Sequence, residues 1–213
     1  MENPKEYPEI HGFKTPNKHL FDSPGHWASI DWNSVAESFY VRHGRTSMKL
    51  VEFYRGERGN SNGHMLADIY KWSNGAMDMD HDYIQWMFPT NEPSMFNFEA
   101  PLLTKDEAEV FNTDPILRTK MLDSFFRFLN YLELKISYSD EAMFVEKLHD
   151  NLPWWLNSFN HNMLRVTRVI KSLRLTGLQE YANLFFDGLK QFRVHVSDNT
   201  WGFWEEAMVG PLW

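Results

Sequence analysis

Large apolar side chains recur every three or four residues along most of this chain, and only a helix carries that period on one face. Leu122, Phe125, Phe126, Leu129 and Leu132 form one such stripe; Leu178, Ala182, Phe185, Leu189, Phe192 and Val196 form another; Met65, Leu66, Ile69 and Trp72 form a third. No segment alternates with period two over a useful length, and no unit repeats at a fixed spacing. The expected fold is therefore all-α. It comprises one compact multi-helix domain over residues 34–213, preceded by an irregular, extended arm over residues 1–33. The arm carries Pro4, Pro8, Pro16 and Pro24, and is expected to dock through Phe13, Phe21, Trp27 and Trp32.

Punctuation residues divide the helical part. Ser34 with Glu37, and Thr104 with Glu107, match capping boxes, in which the two side chains satisfy free amides at a helix start. Asp114-Pro115 places a capping carboxylate before a proline suited to the first helical position. Ser47 is expected to cap a helix carrying Leu50, Val51 and Tyr54, closed by Gly56. Ser73-Asn74-Gly75 is expected to end the helix of Met65 to Trp72, and a helix from His81 is expected to run to Pro89. Ser139-Asp140 would cap a short helix through Phe144 and Leu148, stopped at Asn151-Leu152-Pro153. Asn157 to Leu175 would form a further helix ended by Gly177, and Trp201, Trp204 and Met208 a last short one.

Composition narrows the function. The formal charge is -8, whereas a general nucleic-acid binder needs clustered cations. There is no cysteine, which excludes disulfides, thiolate catalysis and cysteine-ligated metals, and agrees with an intracellular location, cytoplasmic or nuclear. Residues 1–16 are polar, without an apolar run like that of a secretory signal, and no run approaches roughly 20 apolar residues, so neither a leader nor a membrane span is expected. Nine tryptophans and seventeen phenylalanines point to a core of large rings, or to an aromatic-lined ligand cavity.

Two polar patterns interrupt the apolar stripes. In His81-Asp82-Tyr83-Ile84-Gln85-Trp86-Met87-Phe88-Pro89, hydrogen-bonding groups crowd an otherwise apolar turn. Each such group, once buried, needs a partner or costs about 1–3 kcal/mol. On a helix over 157–175, His161, Arg165, Arg168 and Ser172 fall on one stripe, bordered by Val166, Val169, Ile170 and Leu173 and flanked by Leu164 and Leu175. A half-buried arginine there must find a carboxylate, a carbonyl or an anionic ligand. Asp78, His81 and Asp82 admit an orientation pair or a weak metal site, but capping of a helix start is the commoner use of Asp78 or Asp80. No metal site or cofactor is expected. The chain has no His-Glu-x-x-His, no phosphate loop and no nucleophile elbow.

Three blocks of this sequence resemble the conserved region of the opioid growth factor receptor family. The first is Phe53-Tyr54-Arg55-Gly56 with Gly63, Ile69 and Trp72. The second is His81 to Pro89, continuing through Glu92-Pro93, Asn97, Pro101-Leu102 and Glu109-Val110-Phe111. The third is Trp155 with His161-Asn162-x-x-Arg165-x-Thr167-Arg168-x-Ile170-Lys171-Ser172-Leu173, closing at Leu178. The resemblance implies a family named for a vertebrate receptor of an enkephalin peptide, associated with the nucleus and with restraint of growth. It brings no catalytic residues.

The first functional reading is a helical binding module. His81, Gln85, Trp86, His161, Asn162, Arg165, Arg168 and Tyr54 would frame a polar pocket for a small anionic or peptide-like ligand, with Trp155 as a further wall. The second is an enzyme using His81 as general acid or base in that pocket. The third is an interaction protein without a small ligand, showing aromatic surface around Trp201, Trp204 and Trp213.

Overall fold

The computed structural model describes residues 48–94, 97, 100–139, 142–156 and 161–213. The arm over 1–33, the Ser34/Glu37 capping box and the Ser47 cap lie outside these residues. The described chain is a helical domain. It opens with four short helices, α1 (Lys49–Arg55), α2 (Leu66–Ile69), α3 (Asn74–Met79) and α4 (Tyr83–Met87). Longer helices follow: α5 (Lys105–Thr113), α6 (Pro115–Tyr131), α7 (Asn162–Leu175), α8 (Gln179–Leu189) and α9 (Asp198–Val209). Among the described residues no helix is long and apolar enough to cross a membrane.

The caps explain several boundaries. Thr104 and Glu107 form the full capping box of α5. The Asp114 carboxylate accepts from the amides of Ile116 and Leu117, with Pro115 following it. Gly56 and Gly177 take left-handed backbone at φ 80° and 77°, where a β-carbon would be strained. Ser73 behaves differently from expectation: α2 has already ended at Ile69, and the Ser73 hydroxyl caps the start of α3 through the Ala76 amide.

The segment after α6 also departs from expectation. Glu133 stops the chain in left-handed backbone at φ 56°. Leu134–Tyr138 (β1) and Met143–Lys147 (β2) then pair as an antiparallel hairpin, with Ile136 opposite Val145. Ser139 caps the hairpin turn with the Ala142 amide and starts no helix. The alternation in Leu-Lys-Ile-Ser-Tyr is only five residues long, too short to stand out against the helical stripes around it. Packing against α6 and α8 decides the conformation.

The core is built from rings. Phe125 and Phe128 of α6 meet Phe185 of α8 edge-on at 5.5 Å and 6.4 Å, and Phe88 meets Phe128 at 5.4 Å. Val166, Val169, Ile170 and Leu173 bury the apolar face of α7. Trp204 closes the other side of α7, donating its indole N–H to the Met163 carbonyl at 3.1 Å.

Helices of four to seven residues cannot hold themselves in water. Here charged side chains from the long helices close their ends. Glu107 of α5 accepts from the Leu50 amide at the start of α1 at 3.0 Å, and Lys120 of α6 donates to the Tyr54 carbonyl near its end at 2.6 Å. Arg127 of α6 donates to the carbonyls of Tyr70 and Trp72 just beyond α2, at 3.2 Å and 2.6 Å. Arg165 and Arg168 of α7 take the ends of α3 and α4. The same device recurs at α9, where Arg174 donates to the carbonyls of Ala207 and Gly210. Terminal helix carbonyls lack partners and carry the negative end of the helix dipole, so a cation there answers both needs.

Candidate functional site

Arg165 is the centre of the polar cluster and is only 5% exposed. One terminal nitrogen donates to the Met77 carbonyl at 3.1 Å, the Tyr131 hydroxyl at 2.9 Å and the Asn162 side-chain oxygen at 3.2 Å. The other donates to the carbonyls of Asp80 at 2.8 Å and Asp78 at 3.4 Å, and meets His81 Nδ1 at 3.3 Å. The guanidinium also stands 5.2 Å from the ring centre of Tyr83 and 5.7 Å from that of Tyr131. Because a guanidinium only donates, His81 Nδ1 must accept, and the ring's proton is left on Nε2.

Asp78 forms the second half. Its carboxylate is 3.1 Å from His161 Nε2 and 2.7 Å from the Tyr131 hydroxyl, with the Asn162 amide at 3.5 Å. The single phenolic hydrogen of Tyr131 is shared between Asp78 and the Asn162 oxygen, each 2.7 Å away. Burial alone would raise the Asp78 carboxyl. The hydrogen bonds from Tyr131 and Asn162, with His161 and Arg165 nearby, outweigh it and hold the group below its ordinary 3.8. His161 is held below its ordinary 6.5 by burial, with Arg165 and His81 adding to it against the pull of Asp78. Near neutral pH the His161–Asp78 contact is therefore a hydrogen bond from a neutral imidazole. The His81 and His161 rings meet edge to face at 5.4 Å. His81 is exposed, and the side chains of His161 and Asp78 are 42% and 35% exposed. The cluster thus has a rigid floor of Arg165, Tyr131 and Asn162 and an open edge of His81, His161 and Asp78.

A scan against family descriptions matches residues 43–194 to the "Opioid growth factor receptor (OGFr) conserved region". The chain belongs to this family. The opioid growth factor receptor of Mus musculus is 30% identical over 141 residues, covering 62% of this chain and 21% of the relative. The receptor of Homo sapiens is 31% identical over 140 residues, covering 62% and 20%. Opioid growth factor receptor-like protein 1 of Xenopus tropicalis is 28% identical over 115 residues, covering 53% and 22%. The chain spans about a fifth of the length of these curated relatives. No solved structure matches.

The family's second and third blocks meet at the cluster, bringing together His81, His161, Asn162 and Arg165. The other predicted site residues sit elsewhere. His81 precedes α4 and is exposed, while Gln85 lies inside that helix and is buried, so the two do not share a helical face. Gln85 donates to Ser94 at 3.3 Å, and Trp86 donates to Ser61 at 3.1 Å beneath the Arg58 guanidinium. The Tyr54 hydroxyl donates to the Met87 carbonyl, next to Ser124. The Trp155 indole donates to the Leu132 carbonyl at 2.7 Å. Arg168 donates to the Phe88 carbonyl at 3.2 Å, and burial brings its guanidinium down to about 10 with Glu92 opposing.

Asp80 does cap, accepting from the amides of Asp82 and Tyr83 at 2.8 Å and 3.0 Å. Among the described residues, no three histidine or carboxylate side chains converge as metal ligands. Tyr131 escaped sequence reading because it ends an apolar stripe and looks like another core ring. The usable signal was its hydroxyl, which requires a partner when buried. Trp201 and Trp204 are buried, so the aromatic surface expected there reduces to Trp213, with Phe203 exposed nearby in sequence.

Proposed function

We propose that this chain is a ligand-binding module of the opioid growth factor receptor type, and that it receives a peptide-like ligand at the edge formed by His81, His161 and Asp78. The supporting observation is the division of labour in the cluster. Arg165, Tyr131 and Asn162 spend their hydrogen-bonding capacity on backbone carbonyls and on one another, which fixes the floor. The two imidazoles and one carboxylate at the edge keep solvent-facing surface. A carboxylate beside two imidazoles suits a ligand carrying an amine together with carbonyl or carboxylate oxygens, as a peptide terminus does. Arg165 supports the edge and is not the principal ligand contact. Arg168, Gln85, Trp86 and Tyr54 belong to the framework in this reading. The relatives are named as receptors of opioid growth factor, which makes that ligand the first probe. The site of action is inside the cell, in cytoplasm or nucleus.

The test is titration of the chain with opioid growth factor and with a peptide of the same composition in scrambled order, followed by NMR of the imidazoles. The expected result is a saturable shift of the His81 and His161 signals, lost in His161→Ala while the fold is kept. Unchanged imidazole signals with either peptide would remove this edge as the binding site.

A further inference from the structure

The outer edge of the hairpin borders a groove that the reading at His81 and His161 does not use. β2 pairs with β1 on one side and has no second strand beside it among the described residues. The Leu148 amide bonds to the Glu133 carbonyl at 2.7 Å, and the Ser139 amide to the Ala142 carbonyl at 2.9 Å. Bonded pairs alternate along an antiparallel ladder. In this register Lys135 with Glu146 and Ser137 with Phe144 exchange bonds, while Met143 and Val145 turn their main-chain groups away from β1. A groove of about 370 Å³ lies between β2 and α8. Met143 and Val145 line it from one face of the hairpin, and Phe144 and Glu146 from the other. Side chains of both faces meet in one groove only along the edge of the strand. The opposite wall carries Leu184, Asp187, Gly188 and Gln191, at the spacing of one helical face. Gly188 lets that wall approach the strand, since a β-carbon there would stand 2.5 Å from Val145 Cβ. Gln191 donates to the Val145 carbonyl at 3.2 Å.

We propose that this groove takes an extended segment of another polypeptide, which pairs with the β2 edge and places an arginine beside Glu146 and Asp187. Charge selects the residue. Lys135 bridges Glu146 at 3.2 Å and Lys190 bridges Asp187 at 2.6 Å, but neither lysine lines the groove. Its charged walls are therefore acidic only, and a cationic partner complements them. An arginine stem covers apolar surface of the kind that Met143 and Leu184 present, and Met143 is 38% exposed. The planar guanidinium can stack on the Phe144 ring, itself 41% exposed, and reach both carboxylates with its fork. The main-chain groups of Met143 suit an extended backbone, as in strand addition to a sheet edge. This surface stands independently of the reading at His81 and His161.

The test is titration of the wild-type chain with a short, end-capped peptide of valine and threonine carrying one central arginine, followed by NMR of methionine methyls and backbone amides. The expected result is a saturable shift at the Met143 methyl and the Gly188 amide. The same peptide with citrulline, which keeps the shape and removes the charge, should bind about 5–20-fold more weakly. Asp187→Asn and Glu146→Gln should each weaken the arginine peptide about 2–5-fold. Asp68→Asn, at an exposed ion pair on α2, should leave its binding unchanged. Equal binding of the citrulline peptide, or shifts confined to residues outside the groove, overturns the proposal. Arginine methyl ester binding as tightly as the peptide overturns it as well, because strand pairing then contributes nothing.

Discussion

The two halves of this domain are held by different forces. Around α6, α7 and α8, rings and branched side chains interlock over three to five helical turns, and burial of apolar surface dominates. Across α1 to α4 the helices are four to seven residues long and depend on side chains sent from α5, α6 and α7 to close their ends. The first region tolerates substitutions that conserve volume. The second depends on directional bonds to backbone carbonyls, where neither volume nor charge alone suffices. The family's histidine and arginine blocks lie in or against the second region. Their polarity is therefore largely structural, and the edge proposed for a ligand is the part that these bonds leave open.

The comparison can be broken most directly at its two centres. Arg165→Met should cost about 3–5 kcal/mol in denaturant unfolding, because it strips donors from three carbonyls and leaves Asp78 without its neighbouring cation. Arg165→Lys should recover little of that loss, since an ammonium cannot span the carbonyls of Met77 and Asp80 together. Phe128→Ala should also cost about 3–5 kcal/mol, but Phe128→Leu should hold the loss to about 1.5 kcal/mol. Equal rescue by the conservative change in both places would erase the distinction. Tyr131→Phe should cost about 1–3 kcal/mol, by removing the hydroxyl shared by Arg165, Asp78 and Asn162.

The smallest expected effect is on pH dependence. His161 titrates below 6.5 in the fold, so the unfolded chain binds a proton that the folded chain does not. Stability is then full above 6.5 and falls as pH drops through the folded value. Asp78, depressed below 3.8, adds a second loss in the same direction at more acidic pH. His161→Gln should flatten the first step in a stability–pH profile and leave the second.

The helical class and the capped ends of α5 and α6 were legible because each rests on local signals: a period, a capping residue, a proline. So were Gly56 after α1 and Pro89 after α4; the closing ends of α2 and α3 were not, because the cations that take their carbonyls come from far away in sequence. Arg165 closes α3 from 88 positions beyond Met77. Sequence placed Arg165 on a partly buried stripe and required an anion or a carbonyl for it; only coordinates show that carbonyls take it. The helix expected from His81 is present but begins two residues later, at Tyr83. Asp80 caps a fresh start beyond α3, which frees His81 from α4 and turns it outward. The hairpin was missed because five alternating residues lie between strong helical patterns.

The most direct measurement is residue-resolved amide hydrogen exchange on Arg165→Met beside the wild-type chain. If Arg165 closes the end of α3, protection should fall over Asn74–Met79 and Tyr83–Met87, while the amides of α6 and α8 keep theirs. An even loss across all helices, or no loss at α3, would contradict the account.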